Sequence, residues 1–301
     1  MKILFCSDGS EQAENAVRFG ALIAAACEAE TSILGIAEKA SAEEPLFQAL
    51  LRAQDILKEH HLSAEVITKA GRPVREIVKR TRENDYDLVV IGAVRKGARS
   101  PAWMSARAYK IIESVAPPVL VVIGERPALQ RILLCTSGSP PADKAVEFAG
   151  SVARSVNAAV DLIHVAAEPP AMYADLIERE EDAERILASN SKLGRTLRQQ
   201  KELLEQYGVL GEFRLHHGLV VPELLREMQR TGYDLVVVGS PPAEDTLRQY
   251  MMGDVAREIV DRAELPVLVM RTESRRLAHR FGSLMTRLFR RPKETAEAAG
   301  S

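Results

Sequence analysis

Two hydrophobic patterns alternate along the chain. Short unbroken apolar runs, such as Leu88-Val89-Val90-Ile91 closed by Gly92 and Leu235-Val236-Val237-Val238 closed by Gly239, are separated by stretches in which apolar residues recur every three or four positions. An apolar run without alternation reads as a strand buried on both faces, and the three-to-four spacing reads as an amphipathic helix. Lys2 to Ser7 predicts the first such strand. The turn Asp8-Gly9-Ser10 follows it, with Ser10 placed to cap a helix that begins near Glu11 and carries Ala16, Val17, Phe19, Gly20 and Ile23 on its apolar side. Further strands are predicted from Ser32 to Ala37, from Ala64 to Lys69, at the run before Gly92, and at Pro118-Val119-Leu120-Val121-Val122.

The pattern then repeats. Shifted by 129 positions, the opening returns as Arg131-Ile132-Leu133-Leu134-Cys135-Thr136-Ser137-Gly138-Ser139, with Ala145, Val146 and Phe148 in the places of Ala16, Val17 and Phe19. Asp161 to Ala166, Glu212 to His216, the run before Gly239 and Pro266 to Met270 complete the second set. Such self-similarity marks an internal duplication. Strands alternating with helices predict parallel sheets with right-handed crossovers, so each half is read as a doubly wound five-stranded α/β sheet. The offset grows from 129 to 147, which places about 18 extra residues around Ala171 to Ser191, a charged helical segment read as an exposed extension or a docking arm for a partner.

The predicted organisation is a first domain over residues 1–124, a linker over 125–129, a second domain over 130–271 and a tail over 272–301. The linker is too short to let the halves separate, so the two closing strands are expected to pair and cover each other's edges, an intramolecular pseudo-dimer.

Charge changes this picture only at the end of the chain. Residues 271–301 carry eight Lys/Arg against three Glu, a net +5 on a chain of net charge −2, leaving −7 on the rest. Leu277, Phe281, Leu284, Met285 and Leu288 recur at helical spacing beside Arg276, Arg280, Arg287 and Arg291. That is a cationic amphipathic helix, and residues 272–293 are expected to meet a protein partner or an anionic membrane surface. An acidic body without an aromatic stacking platform disfavours nucleic acid. No apolar run reaches the roughly 18 residues of a spanning helix and no leader pattern precedes the first strand, so the expected location is cytoplasmic, with peripheral membrane contact through the tail as the variant. Three cysteines make no even disulfide framework, and Cys6 and Cys135, at matching strand positions, are read as packing residues.

A first strand ending in Asp8-Gly9-Ser10, the strand Tyr86-Asp87-Leu88-Val89-Val90-Ile91-Gly92 and the closing Pro118-Val119-Leu120-Val121-Val122, a set duplicated in the same order with Ser137 in place of Asp8, resemble the universal stress protein family. The resemblance implies a tandem member with an adenine nucleotide alpha hydrolase-like fold, two sheets paired through their last strands, and a non-enzymatic role in stress response. It also implies a ligand, ATP, bound by a subset of members through G-x2-G-x9-G-[S/T]. Glycines let backbone N–H groups approach the phosphates, and the final Gly-Ser/Thr opens a helix whose N-terminus favours anions.

Neither half keeps that pattern. In the first half it falls on Gly92, Arg95, Ser105 and Ala106, with Asp8 and Gly9 at the end of the first strand. In the second it falls on Gly239, Pro242, Gly253 and Asp254, with one extra loop residue and Ser137 where the family has its acid. Pro242 has no N–H to offer, and Asp254 is read as a helix cap. The sites are therefore expected to be degenerate, with Asp8, Gly9, Gly92, Arg95, Lys96 and Ser105 the better candidates, since the Arg95 and Lys96 cations could replace glycine amides at a phosphate. Gly239 and Gly253 remain in the second half.

Other chemistry finds little support. Thr136 to Pro140 is similar to the opening of a PP-loop, but Pro140, Pro141 and Ala142 do not supply Ser-Gly-Gly-x-Asp-Ser. The pairs His60-His61 and His216-His217 are adjacent, and neighbours on a strand face opposite ways. His164 is expected to be structural.

Overall fold

A computed structural model of the chain describes residues 1–93, 106–139, 142–167, 179–240 and 254–271. The first half contributes β1 (Lys2–Ser7), α1 (Glu11–Ala26), β2 (Glu30–Ala37), α2 (Glu43–Glu59), β3 (Ala64–Ala70), α3 (Pro73–Glu83), β4 (Leu88–Ala93), α4 (Ala106–Ser114) and β5 (Val119–Ile123). The second contributes β6 (Arg131–Thr136), α5 (Asp143–Val156), β7 (Ala159–Ala166), α6 (Arg179–Ala188), α7 (Lys192–Gln206), β8 (Phe213–His217), α8 (Val220–Arg230), β9 (Leu235–Ser240), α9 (Asp254–Arg262) and β10 (Val267–Arg271). The tail over 272–301 lies outside the described residues, as do residues 171–178 of the extra segment; the rest of that segment is described and contains α6.

The ten strands form one sheet in the order β3-β2-β1-β4-β5-β10-β9-β6-β7-β8. Pairing is parallel within each half, and the halves join where β5 and β10 run antiparallel, with Val121 opposite Val267, Leu120 opposite Leu268 and Val119 opposite Val269. These two strands are buried along their whole length because each faces a helix layer above and below. That is why their sequences are apolar without alternation.

Helices cover both faces. On one, α1, α2, α5 and α7 close a core built around Phe5, Phe19, Phe148 and Leu57, and α1 packs on α5 across the join. On the other, α3, α4, α8 and α9 cover Ile77, Ile112, Val236 and Ile259. There Arg257 lies 4.9 Å from the Tyr109 ring centre, the buried Arg271 donates to the Ile112 carbonyl, and Arg126 donates to the Glu264 carbonyl at 2.8 Å. The halves are thus tied on both sides of the sheet as well as through it.

In each half the chain winds outward from the first strand to the third, then returns to add the fourth on the other side. The reversal falls between β1 and β4 and again between β6 and β9, and it leaves a crevice at the carboxyl end of each pair.

Candidate functional site

In the first crevice the turn after β1 is held by its own side chains. Ser7 Oγ accepts the Gly9 N–H at 3.2 Å, and Asp8 Oδ1 accepts both the Ser10 N–H at 3.0 Å and the Ser10 hydroxyl at 2.5 Å. Ser10 Oγ in turn accepts the Ala13 N–H at 3.3 Å and so caps α1. Asp8 is exposed, and among the described residues its second oxygen has no partner. Gly92 closes β4 beneath the first turn of α1. A Cβ there would lie 2.3 Å from the Gln12 carbonyl oxygen, so helix and strand approach at a distance only glycine permits. Gly9, at φ +79°, lies against Ala49 of α2. The structure therefore brings Asp8, Gly9 and Gly92 to one crevice, whereas Arg95, Lys96 and Ser105 lie outside the described residues.

The second crevice has the same backbone and different contents. Gln200, from α7, is fully buried over the end of β6. Its Oε1 accepts the Thr136 hydroxyl at 2.7 Å, while its Nε2 donates to Asp143 Oδ1 at 2.8 Å and to the Ser139 carbonyl at 3.3 Å. Thr136 Oγ1 accepts the Gly138 N–H at 3.0 Å, and His164 Nδ1 donates to the Thr136 carbonyl at 3.0 Å. Burial pushes the His164 pKa below its ordinary value despite the upward pull of that carbonyl, so the ring stays neutral in its structural place. Leu193 completes the cover: a Cβ on Gly138, which has φ +68°, would lie 2.1 Å from its Cδ1. Gly239 is in β9 opposite Met270, and Gly253 lies outside the described residues.

The two helices above the crevices correspond at an offset of 147. Positive φ at His61 and Gly208, just beyond α2 and α7, fixes the register, since 61 and 208 differ by that number. Ala49 and Ala53 of α2 then stand where α7 has Thr196 and Gln200. The alanines over β1 have no side-chain polar group, whereas over β6 a glutamine hydrogen-bonds to Thr136, Ser139 and Asp143. The apolar pattern alone does not reveal Gln200, because a buried glutamine at a core spacing looks like a polar interruption. Comparison of the two halves position by position would have exposed it.

The remaining titratable groups suit packing better than chemistry. Burial pushes the Cys6 thiol up to about 12 and raises Cys135 in the same way, so neither supplies a thiolate at neutral pH. At the opposite, amino end of the second half, buried Asp161 accepts from Tyr233 Oη at 2.7 Å, Arg131 Nη2 at 2.8 Å, Arg214 Nε at 3.1 Å and the Glu212 N–H at 3.1 Å. Glu227 and His216 extend that network, with 3.5 Å between them, which ties α8 to β8.

Two doubly wound halves sharing one sheet, each with a crevice at its strand reversal, define a tandem α/β protein of the adenine nucleotide alpha hydrolase-like class. The universal stress protein family matches residues 1–122 and 128–271, and the chain belongs to that family. A universal stress protein of Synechocystis is 21% identical over 305 aligned positions, covering 89% of this chain and 99% of its own length. Among solved structures, a universal stress protein from Archaeoglobus fulgidus superposes with a TM-score of 0.70 at 18% identity, covering 90% of this chain and 98% of that one. A functionally unknown protein from Pseudomonas aeruginosa superposes with a TM-score of 0.63 at 17% identity, covering 95% and 97%. Among the described residues, no helix is long and apolar enough to cross a membrane.

Proposed function

We propose that this is a non-enzymatic stress-response protein that acts through interaction with other proteins, and that its second crevice has been converted from a ligand site into part of the core. The observation that carries this reading is the buried Gln200, whose amide is satisfied on both sides by Thr136, Ser139 and Asp143. A ligand entering there would break three hydrogen bonds, each of which leaves a buried polar group costing about 1–3 kcal/mol unless the ligand replaces it.

One observation favours a second reading for the first half alone. Among the described residues Asp8 keeps an unpartnered oxygen, and Ala49 and Ala53 bring no polar side chain to the end of β1, which suits an adenine nucleotide held by Asp8, Gly9 and the cations Arg95 and Lys96. Calorimetric titration of the full chain with ATP and ADP separates the two. Silence at millimolar nucleotide is expected. Micromolar binding that disappears in an Arg95→Ala, Lys96→Ala variant would replace the first reading with a nucleotide switch.

A further inference from the structure

On the first half's outer face, α3 and α4 flank a groove of about 880 Å³. Arg72, Arg75, Lys79 and Arg82 stand along its α3 side at spacings of three, four and three, and Arg107 and Lys110 face them from α4. All six side chains are exposed, and the half-buried Val74 and Val78 line the groove with them. Two carboxylates accompany the six cations. Glu38 pairs with Arg107 at 2.9 Å at the mouth near the end of β2, and Glu83 lies 3.9 Å from Lys79 at the far end of α3. Among the described residues, Arg72, Arg75, Arg82 and Lys110 have no carboxylate partner.

This arrangement costs the helix stability. Like charges three or four apart destabilise a helix by about 0.2–0.5 kcal/mol per pair. Arg72 at the cap and Arg75 in the first turn also face the positive end of the helix dipole, which cations avoid, while Glu76 in the first turn and Arg80 and Arg82 in the last offset part of that cost. Nor does the fold require it, because the second half supplies an internal control. At the offset of 147, Leu219, Pro222, Arg226 and Gln229 occupy the α3 positions, and by alignment of the closing strands Val255 and Glu258 occupy those of Arg107 and Lys110. At those six positions the second half carries one cation and one acid, and Arg230 stands where the first half has Glu83.

We propose that the α3–α4 groove is the docking site for a short acidic segment of a partner protein, with apolar residues of that segment on Val74 and Val78 and its carboxylates between the two rows of cations. This rests on the reading that the protein acts through interaction, and it names the surface. The eleven residues of α3 give a groove about 16 Å long at 1.5 Å per residue, the length of about five residues of extended chain. A long polyanion would run over Glu38 and Glu83 at the ends, and a flat membrane would not reach the valines. An acidic peptide fits between the end carboxylates.

The probe is a fluorescein-labelled peptide of alternating glutamate and leucine, titrated with the full chain and followed by anisotropy. The expected result is saturable binding that weakens as salt rises and drops about 10-fold or more in an Arg75→Glu, Arg82→Glu variant. The exposed Arg226→Glu change in the second half should leave it unaltered. An Arg75→Ala, Arg82→Ala variant with an unchanged thermal melt should show the same direction of loss, which removes misfolding as the cause. Equal binding by wild type and both groove variants would overturn the proposal, as would tighter groove-dependent binding of a DNA duplex or of phosphatidylserine vesicles. Such a failure beside nucleotide silence would leave the interaction reading standing and move its surface elsewhere.

Discussion

At the scale of single residues, Gly92 shows how one observation supports two explanations until the neighbours are seen. Its position in the family pattern pointed to a phosphate, but the atom that excludes a side chain there is the Gln12 carbonyl, 2.3 Å from where a Cβ would lie. Gly92→Ala should therefore cost stability at or above the upper end of the roughly 1–3 kcal/mol typical of overpacking, since backbone rather than a flexible side chain must move. Gly232→Ala, with nothing within 4 Å of its Cβ, should stay within about ±0.5 kcal/mol. Urea unfolding midpoints of the two variants make the comparison; equal values would contradict the packing role. Asp8 was legible because a carboxylate at a strand end is conspicuous. Its bond to Ser10 was only half legible: the cap could be read from the sequence, whereas the oxygen shared between hydroxyl and amide could not.

At the scale of elements, the strands were readable because burial on both faces leaves an unbroken apolar run, and β4, β5, β9 and β10 fall where those runs lie. The helices over the crevices were readable as helices but not as different covers, since α2 and α7 share a period and differ in a few side chains. The polar network joining β6, β7, β8 and α8 was invisible for a related reason. Asp161, Arg214 and Tyr233 come from separate segments, and only the pairing of β7 with β8 and of β6 with β7 and β9 brings them together. Burial alone would raise the Asp161 pKa, but Tyr233, the Glu212 amide and Arg131 outweigh it, so its pKa is lowered. A carboxyl whose folded pKa is depressed contributes stability that is full above the ordinary carboxylate range and is lost as pH falls through the folded value. Asp161→Asn should thus destabilise at neutral pH, near the low end of the roughly 3–5 kcal/mol for breaking a buried pair, because the Arg131 and Arg214 side chains are partly exposed. The gap between variant and wild type should narrow in acid; a gap independent of pH would show that the carboxylate's charge is not what stabilises the network.

At the scale of the whole molecule, duplication gave two copies of one fold and let them diverge. The join through β5 and β10 uses the apolar closing strands of both halves, and the α1–α5 and Tyr109–Arg257 contacts lock it from either face. Once fixed as a pair, the halves no longer need identical sites. One holds the buried Gln200 over the end of β6 where the other has Ala53 over β1, and that other half carries six cations along an outer groove. Whether the second crevice belongs to the core can be read from the Gln200 side-chain amide and the His164 ring, followed by NMR while ATP is added to the full chain. The Gln200 amide protons are expected to exchange slowly, and both signals to stay in place at millimolar ATP. A saturable shift of both signals, with faster exchange of that amide, would put a ligand in the crevice and refute its assignment to the core.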